Sequence, residues 1–236
     1  MSLKRSLVKN IRRRQEEGFF PVISEIKLRS KKAGDLLHGR DPLALVQEMA
    51  TCPVAGISVV TEPRYFGGSM ELLKNVAQSV DLPILHKDFI KTTKQIEESA
   101  KSGASAILLI ASMLEDQELI KLLDAASKCG LESLLEVHTI SEMQRVQQLP
   151  FDLLGINNRD ITILEVDDTD VGHTEKLARY YNGKKPVISE SSISTPDEVR
   201  RAGKAGADAV LVGTAVMCAP SISQFLKEMT SVGWPV

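Results

Sequence analysis

Eight times in 236 residues, a short apolar run is followed by a stretch with helical spacing. That alternation constrains the fold more than any other feature. Strands that are Val-, Ile- and Leu-rich throughout, rather than apolar at every second residue, are buried on both faces, and helices between them mean a parallel sheet. Strands are expected at 20–26, 55–60, 83–86, 104–110, 131–136, 152–157, 186–190 and 208–212. Helices are expected at 42–50, 70–79, 92–102, 116–129, 139–148, near 169–181, from 195 to Gly203, and at 221–229. Asp41-Pro42 supplies an N-cap followed by proline at the first helical position. Thr139 with Glu142 is a candidate capping box, and Thr195-Pro196-Asp197-Glu198 is a strong helix start.

Eight β-then-α units in 25.9 kDa fit a closed (β/α)₈ TIM barrel, expected as a single domain over 1–236. An open doubly wound sheet normally carries a glycine-rich turn after its first strand, and none is present. Residues 1–18 precede the first unit. Within them Leu3, Leu7 and Ile11 share a helical face, so a capping helix is expected, with Arg12-Arg13-Arg14 as its solvated side.

Composition removes several function classes. Lys+Arg 29 against Asp+Glu 31 leaves a net charge of −2, and aromatics are 4% of the chain. Neither a global positive field nor a stacking surface for nucleic acid is present. Cys52, Cys129 and Cys218 are scattered, with no CxxC, and the four histidines show no metal spacing. No apolar run approaches the roughly 18 residues of a membrane span, and no signal-like apolar region is seen, so a cytoplasmic setting is expected.

The strands end on polar residues, and in a (β/α)₈ barrel those ends converge on the active site. Glu25 and Lys27 are two apart and face the same way on a strand. Lys87 arrives from the third strand, Glu136 from the fifth, Asn157 from the sixth and Glu190 from the seventh. Lysines among glutamates stay protonated at neutral pH, which suits general acid–base work on a carbonyl or hydroxyl. A single such residue is as readily a rim salt bridge, but several together favour chemistry. His86 and His138 are read as supporting or structural.

A phosphate site commonly lies on the loops after strands seven and eight of such barrels. Here those loops carry Ser191-Ser192 and Gly213-Thr214-Ala215-Val216, with a short helix expected after Gly213 and Ser30 closing the ring. Tyr65-Phe66-Gly67-Gly68-Ser69 reads as a mobile loop after strand two.

Taken together, these stretches resemble the indole-3-glycerol phosphate synthase family from about residue 20 to about 230. They are Ile23-Ser24-Glu25-Ile26-Lys27, Ile57 to Glu62, Tyr65 to Ser69, Leu82 to Ile90, Leu135 to His138, Gly155 to Asp160 and Val212-Gly213-Thr214. The resemblance implies closure of an indole ring on 1-(2-carboxyphenylamino)-1-deoxyribulose 5-phosphate with loss of carbon dioxide and water, using no cofactor or metal. It implies Lys87 as the general acid on the ketone oxygen, with Lys27 and Glu136 sharing the dehydration in an undivided way. Glu25 would orient Lys27, Asn157 would hold substrate hydroxyls, and Arg159 would meet the anthranilate carboxylate. Ser30, Ser191, Gly213 and Thr214 would meet the phosphate, and Phe66, Phe89, Leu108 and Ile161 would wall the aromatic ring. Association with other tryptophan-pathway enzymes is also implied.

The chain departs from the family pattern twice within the barrel. Ser30-Lys31-Lys32 stands where Ser-Pro-Ser is usual, and Glu190-Ser191-Ser192 where Glu-Ser-Gly is usual. The second demands that Ser192 adopt a glycine-like dihedral if its N–H is to reach phosphate. The N-terminal extension is also shorter than many in the family. Two alternatives were weighed against these features: a catalytically silent phosphosugar-binding barrel, and phosphoribosylanthranilate isomerase. The isomerase uses a cysteine on strand one and an aspartate on strand six, where this chain has Glu25, Lys27 and Asn157.

Overall fold

A computed structural model describes residues 5–159 and 170–236. Eight parallel strands close into a barrel: β1 Val22–Ile26, β2 Gly56–Val60, β3 Ile84–Lys87, β4 Ala106–Ile110, β5 Glu132–Val137, β6 Leu153–Asn157, β7 Val187–Glu190 and β8 Ala209–Val212. Each pairs with the next, and β8 returns to β1 with Val22 opposite Val210 and Ser24 opposite Val212. The expected (β/α)₈ barrel is the fold observed.

The period of two along each strand sorts side chains into two layers. Ile23, Leu85, Leu108, Leu134, Leu153, Ile188 and Leu211 pack together inside the barrel. Their alternates, among them Val22, Ile57, Ile84, Ile107, Leu135, Leu154 and Val210, pack outward against the helices. Continuing the inward set to the strand tips leads to Glu25, Lys87, Ile110, Glu136, Asn157 and Glu190.

Most helices begin at their expected caps. Asp41 accepts from Leu43 N before Pro42–Ala50, and Thr195 forms a full capping box with Glu198 before Pro196–Lys204. Four expectations need correction. Thr139 accepts from Glu142 N, but the Glu142 carboxylate reaches back to His138 N at 2.8 Å instead of completing the box. Gly203 lies inside its helix because a Cβ there would press on Phe20, and the turn falls at Gly206 with φ +105°. The stretch expected as a mobile loop contains the helical turn Pro63–Phe66, capped by Glu62, followed by the N-cap Ser69. Position 169 of the helix expected near 169–181 lies outside the described residues, and the helix observed is Gly172–Leu177, followed by a 3₁₀ turn.

The N-terminal helix α1, Leu7–Glu16, closes the barrel at the N-terminal ends of the strands. Leu7 and Ile11 are fully buried against the inner layer. Asn10 Nδ2 donates to Ala55 O at 2.5 Å, and Gln15 Nε2 to Asp208 O at 3.0 Å. Glu132 accepts from Leu7 N at 2.6 Å and from the Ser6 hydroxyl, a carboxylate at a helix N-terminus. The arginine run is only partly a solvated face: Arg12 pairs with Asp208, and Arg14 Nε donates to Val54 O.

Candidate active site

At the opposite end the strand tips enclose a cavity of about 520 Å³. Of the strand-tip and loop candidates named from the sequence within the described residues, all but Glu190 line it. Glu25, Lys27, Lys87, Glu136 and Asn157 meet there, with Ser30, Ser191, Gly213 and Thr214. Phe66, Phe89 and Leu108 supply apolar wall, and Arg159 also reaches it. Ile161 lies outside the described residues. The Lys27 ammonium sits 5.6 Å from the centre of the Phe66 ring, within cation–π range.

Charge is concentrated around Lys87. Its Nζ donates to Glu190 Oε2 at 2.9 Å and lies 3.7 Å from Glu25 Oε2. Burial alone would lower its pKa, but Glu190, Glu25 and Glu136 together outweigh burial and hold it above the ordinary lysine value. Glu25 also lies 3.6 Å from Lys27, so this carboxylate bridges both lysines rather than serving Lys27 alone. Glu190 is fully buried and does not line the cavity. Burial and the neighbouring carboxylates push it up to about 7 despite the Lys87 contact.

Glu136 shows the reverse balance. Burial would raise it, but His138, Lys87 and the Asn157 amide hold it below the ordinary glutamate value. His138 Nε2 lies 3.2 Å from Glu136 Oε1 and Nδ1 lies 3.5 Å from Glu142 Oε2. Burial opposes the imidazolium, yet these two carboxylates push it up to about 9. Glu136 Oε2, Glu190 Oε1 and both ring nitrogens of His138 are buried without an aligned hydrogen bond among the described residues, so the His138 contacts are ion pairs. Among those residues no group of three or more His, Cys, Asp and Glu could hold a metal ion.

Two glycines make room for these acids. A Cβ on Gly155 would stand 2.2 Å from Glu190 Oε1, and one on Gly213 would stand 2.3 Å from Glu25 Oε1. Gly213 was expected only for backbone approach to an anion; the packing adds this second requirement. The helix Thr214–Cys218 follows it as expected.

The serine departure is accommodated by backbone. Ser191 and Ser192 are both left-handed, with φ +67° and +55°, so Ser192 does take a glycine-like conformation. Such a conformation costs a non-glycine residue about 1–2 kcal/mol and persists only when its surroundings enforce it. Asn158 is one enforcer: its Nδ2 donates to Glu190 O at 3.0 Å and Ser191 O at 3.1 Å, while its Oδ1 accepts from Thr174. Arg159 Nε donates to Ser192 Oγ at 3.3 Å. Asn158 was missed in the sequence because it alternates away from the mouth; the Asn157-Asn158 doublet at a strand tip was the available signal.

The indole-3-glycerol phosphate synthase family model matches residues 2–229. The indole-3-glycerol phosphate synthase of Pyrococcus furiosus is 45% identical over 88% of this chain and 90% of its own length. That of Thermococcus kodakarensis is 41% identical over 89% of this chain and 92% of its own. Among solved structures, an N-acetylmannosamine-6-phosphate 2-epimerase from Clostridium perfringens superposes with a TM-score of 0.65 at 20% identity. It covers 85% of this chain and 89% of that one, a likeness of fold alone.

Proposed function

The chain belongs to the indole-3-glycerol phosphate synthase family, and from that premise we propose how its own residues carry out the family's reaction. The family is a carboxy-lyase of tryptophan biosynthesis that takes a phosphorylated substrate. The observation that carries the assignment of roles is the position of Lys87, a protonated donor lining the cavity between Glu25 and Glu190. As the anthranilate ring carbon attacks the ketone, Lys87 meets the developing alkoxide and passes it a proton, giving a hydroxyl. Loss of carbon dioxide restores the aromatic ring. Dehydration then expels that hydroxyl as water, with Lys27 as acid and Glu136 as base. The lowered pKa of Glu136, which keeps it ionised, and its place in the cavity wall support the base role.

Glu25 spaces the two ammonium groups, and Asn157 holds substrate hydroxyls. Arg159 takes the anthranilate carboxylate. Ser30, Ser191, Gly213 and Thr214 take the phosphate, helped by N–H groups exposed at the left-handed turn. Phe66, Phe89 and Leu108 bracket the ring. A cytoplasmic setting and association with other enzymes of the pathway belong to the same proposal. What supports the setting is three free cysteines.

The test is direct. Purified protein given the carboxyphenylamino-deoxyribulose phosphate is expected to generate indole fluorescence. Binding of the substrate without product at high enzyme concentration would favour a silent phosphosugar-binding barrel and overturn the proposal.

A further inference from the structure

His138 does not line the cavity, yet it stands directly behind an acid that does. It follows Glu136 by two residues at the end of β5, so its ring leans toward the same side. One ring nitrogen faces Glu136 and the other faces Glu142, the N3 residue of the helix Ile140–Val146. Glu142 is itself fixed, because its Oε2 accepts from His138 N and its own N–H donates to Thr139 Oγ1. The incomplete capping box is therefore explained: the carboxylate that would have closed it has been turned to hold the histidine.

The other charged groups nearby do not compete for the ring. Lys87 bears on Glu136 rather than on His138. The turn Ala111–Met113, packed against β5, brings no charged side chain, and the strand neighbours of Glu136 in register are Ile110 and Gly155. Glu136 thus has one oxygen backed by an imidazole and the other buried with no hydrogen-bond partner among the described residues.

We infer that His138 is a positioning residue for Glu136: held by ion-pair contacts between Glu142 and Glu136, it orients the Glu136 carboxylate in the cavity wall for its role as the base. The inference rests on the base role proposed for Glu136. A Glu–His–Glu line does for this carboxylate what an oriented partner does for a catalytic imidazole, with donor and acceptor exchanged. The raised value of His138, about 9, keeps the ring charged across the neutral range.

The experiment is the pH dependence of kcat and KM for wild type, His138→Asn, Glu142→Gln and Glu136→Gln, read by indole fluorescence. Removing the imidazolium raises the Glu136 pKa, so the acid limb of kcat is expected to move up by about one pH unit in His138→Asn. On that limb this is a roughly tenfold loss, recovering toward the wild-type value at higher pH. KM is expected to change less than about twofold, because the ring does not touch the cavity. Glu142→Gln should move the limb the same way by less. A loss of kcat equal at every pH, or an unmoved limb, overturns the inference. Glu136→Gln with near-normal turnover would instead sink the base role on which it rests. Should the histidine variant not fold, titration of the His138 ring by NMR in wild type decides the point: an ordinary transition near 6.5 counts against the clamp, and one near 9 supports it.

Discussion

Glu132 and Glu136 stand on the same strand, four residues apart, and both turn into the barrel, yet the two ends treat them in opposite ways. Glu132, at the closed end, accepts from two α1 N–H groups and the Ser6 hydroxyl. Even so, burial wins and its pKa is raised. Glu136, at the open end, keeps an oxygen with no hydrogen-bond partner among the described residues, yet its pKa is lowered by His138, Lys87 and Asn157. Neutral donors satisfy a buried carboxylate geometrically but do not replace the solvation of its charge. Nearby cations do. The closed end is built for closure, with Asn10, Gln15 and Glu132 all hydrogen-bonded. The open end instead gathers charge, with Glu25, Glu136 and Glu190 facing Lys27, Lys87 and His138.

The largest expected effect lies at the open end. Lys87→Ala should lower kcat by about 10³-fold, measured as fluorescent product; retention of most turnover would remove Lys87 from its role and blur the contrast. At the closed end, Leu7→Ala should cost about 2–5 kcal/mol of stability in urea unfolding while kcat/KM stays within about twofold. A comparable loss of activity would mean that the two ends are coupled.

Smaller effects should divide the two glutamates by pH. A raised folded pKa contributes stability that is present below the unfolded value and lost as pH rises, which is the case for Glu132. A lowered one contributes stability that is present above the unfolded value and lost as pH falls, which is the case for Glu136. Glu132→Gln should therefore gain on wild type as pH rises above about 4.5, whereas Glu136→Gln should lose ground as pH rises toward about 4.5 and run parallel to wild type above it. Slopes of the same sign in urea titrations would refute the comparison. The smallest effect is expected from Ser192→Gly, which relieves a left-handed serine and should stabilise by about 0.5–1 kcal/mol after the entropy of glycine is counted. A lower Tm would show that the Arg159–Ser192 contact outweighs the strain.

Much of the fold was legible because its signals are local. Apolar runs, proline and threonine caps and glycine stops mark eight units, and the period of two selects which tip residue faces inward. The same rule brought Glu25, Lys27, Lys87, Glu136 and Asn157 to one cavity. Asn158 and the reach of Glu142 were not legible, since each depends on a side chain bonding to backbone outside its own strand. Gly203 misled for a similar reason: its small size serves contact with Phe20, not a helix end.

By itself, the sequence determined the barrel, the orientation of its strand tips and the chemical types gathered at the mouth, because periodicity and capping act over a few residues. Only the tertiary structure decided which tips meet. Lys87 and Glu190 are 103 residues apart and sit on strands that do not pair, yet their contact sets the charge balance of the site. Neighbouring charge likewise separates Glu190, pushed to about 7, from Glu136, held low by His138 and Lys87, although both are buried. Those differences arise from the summed field of groups brought together by closure, which no local pattern encodes.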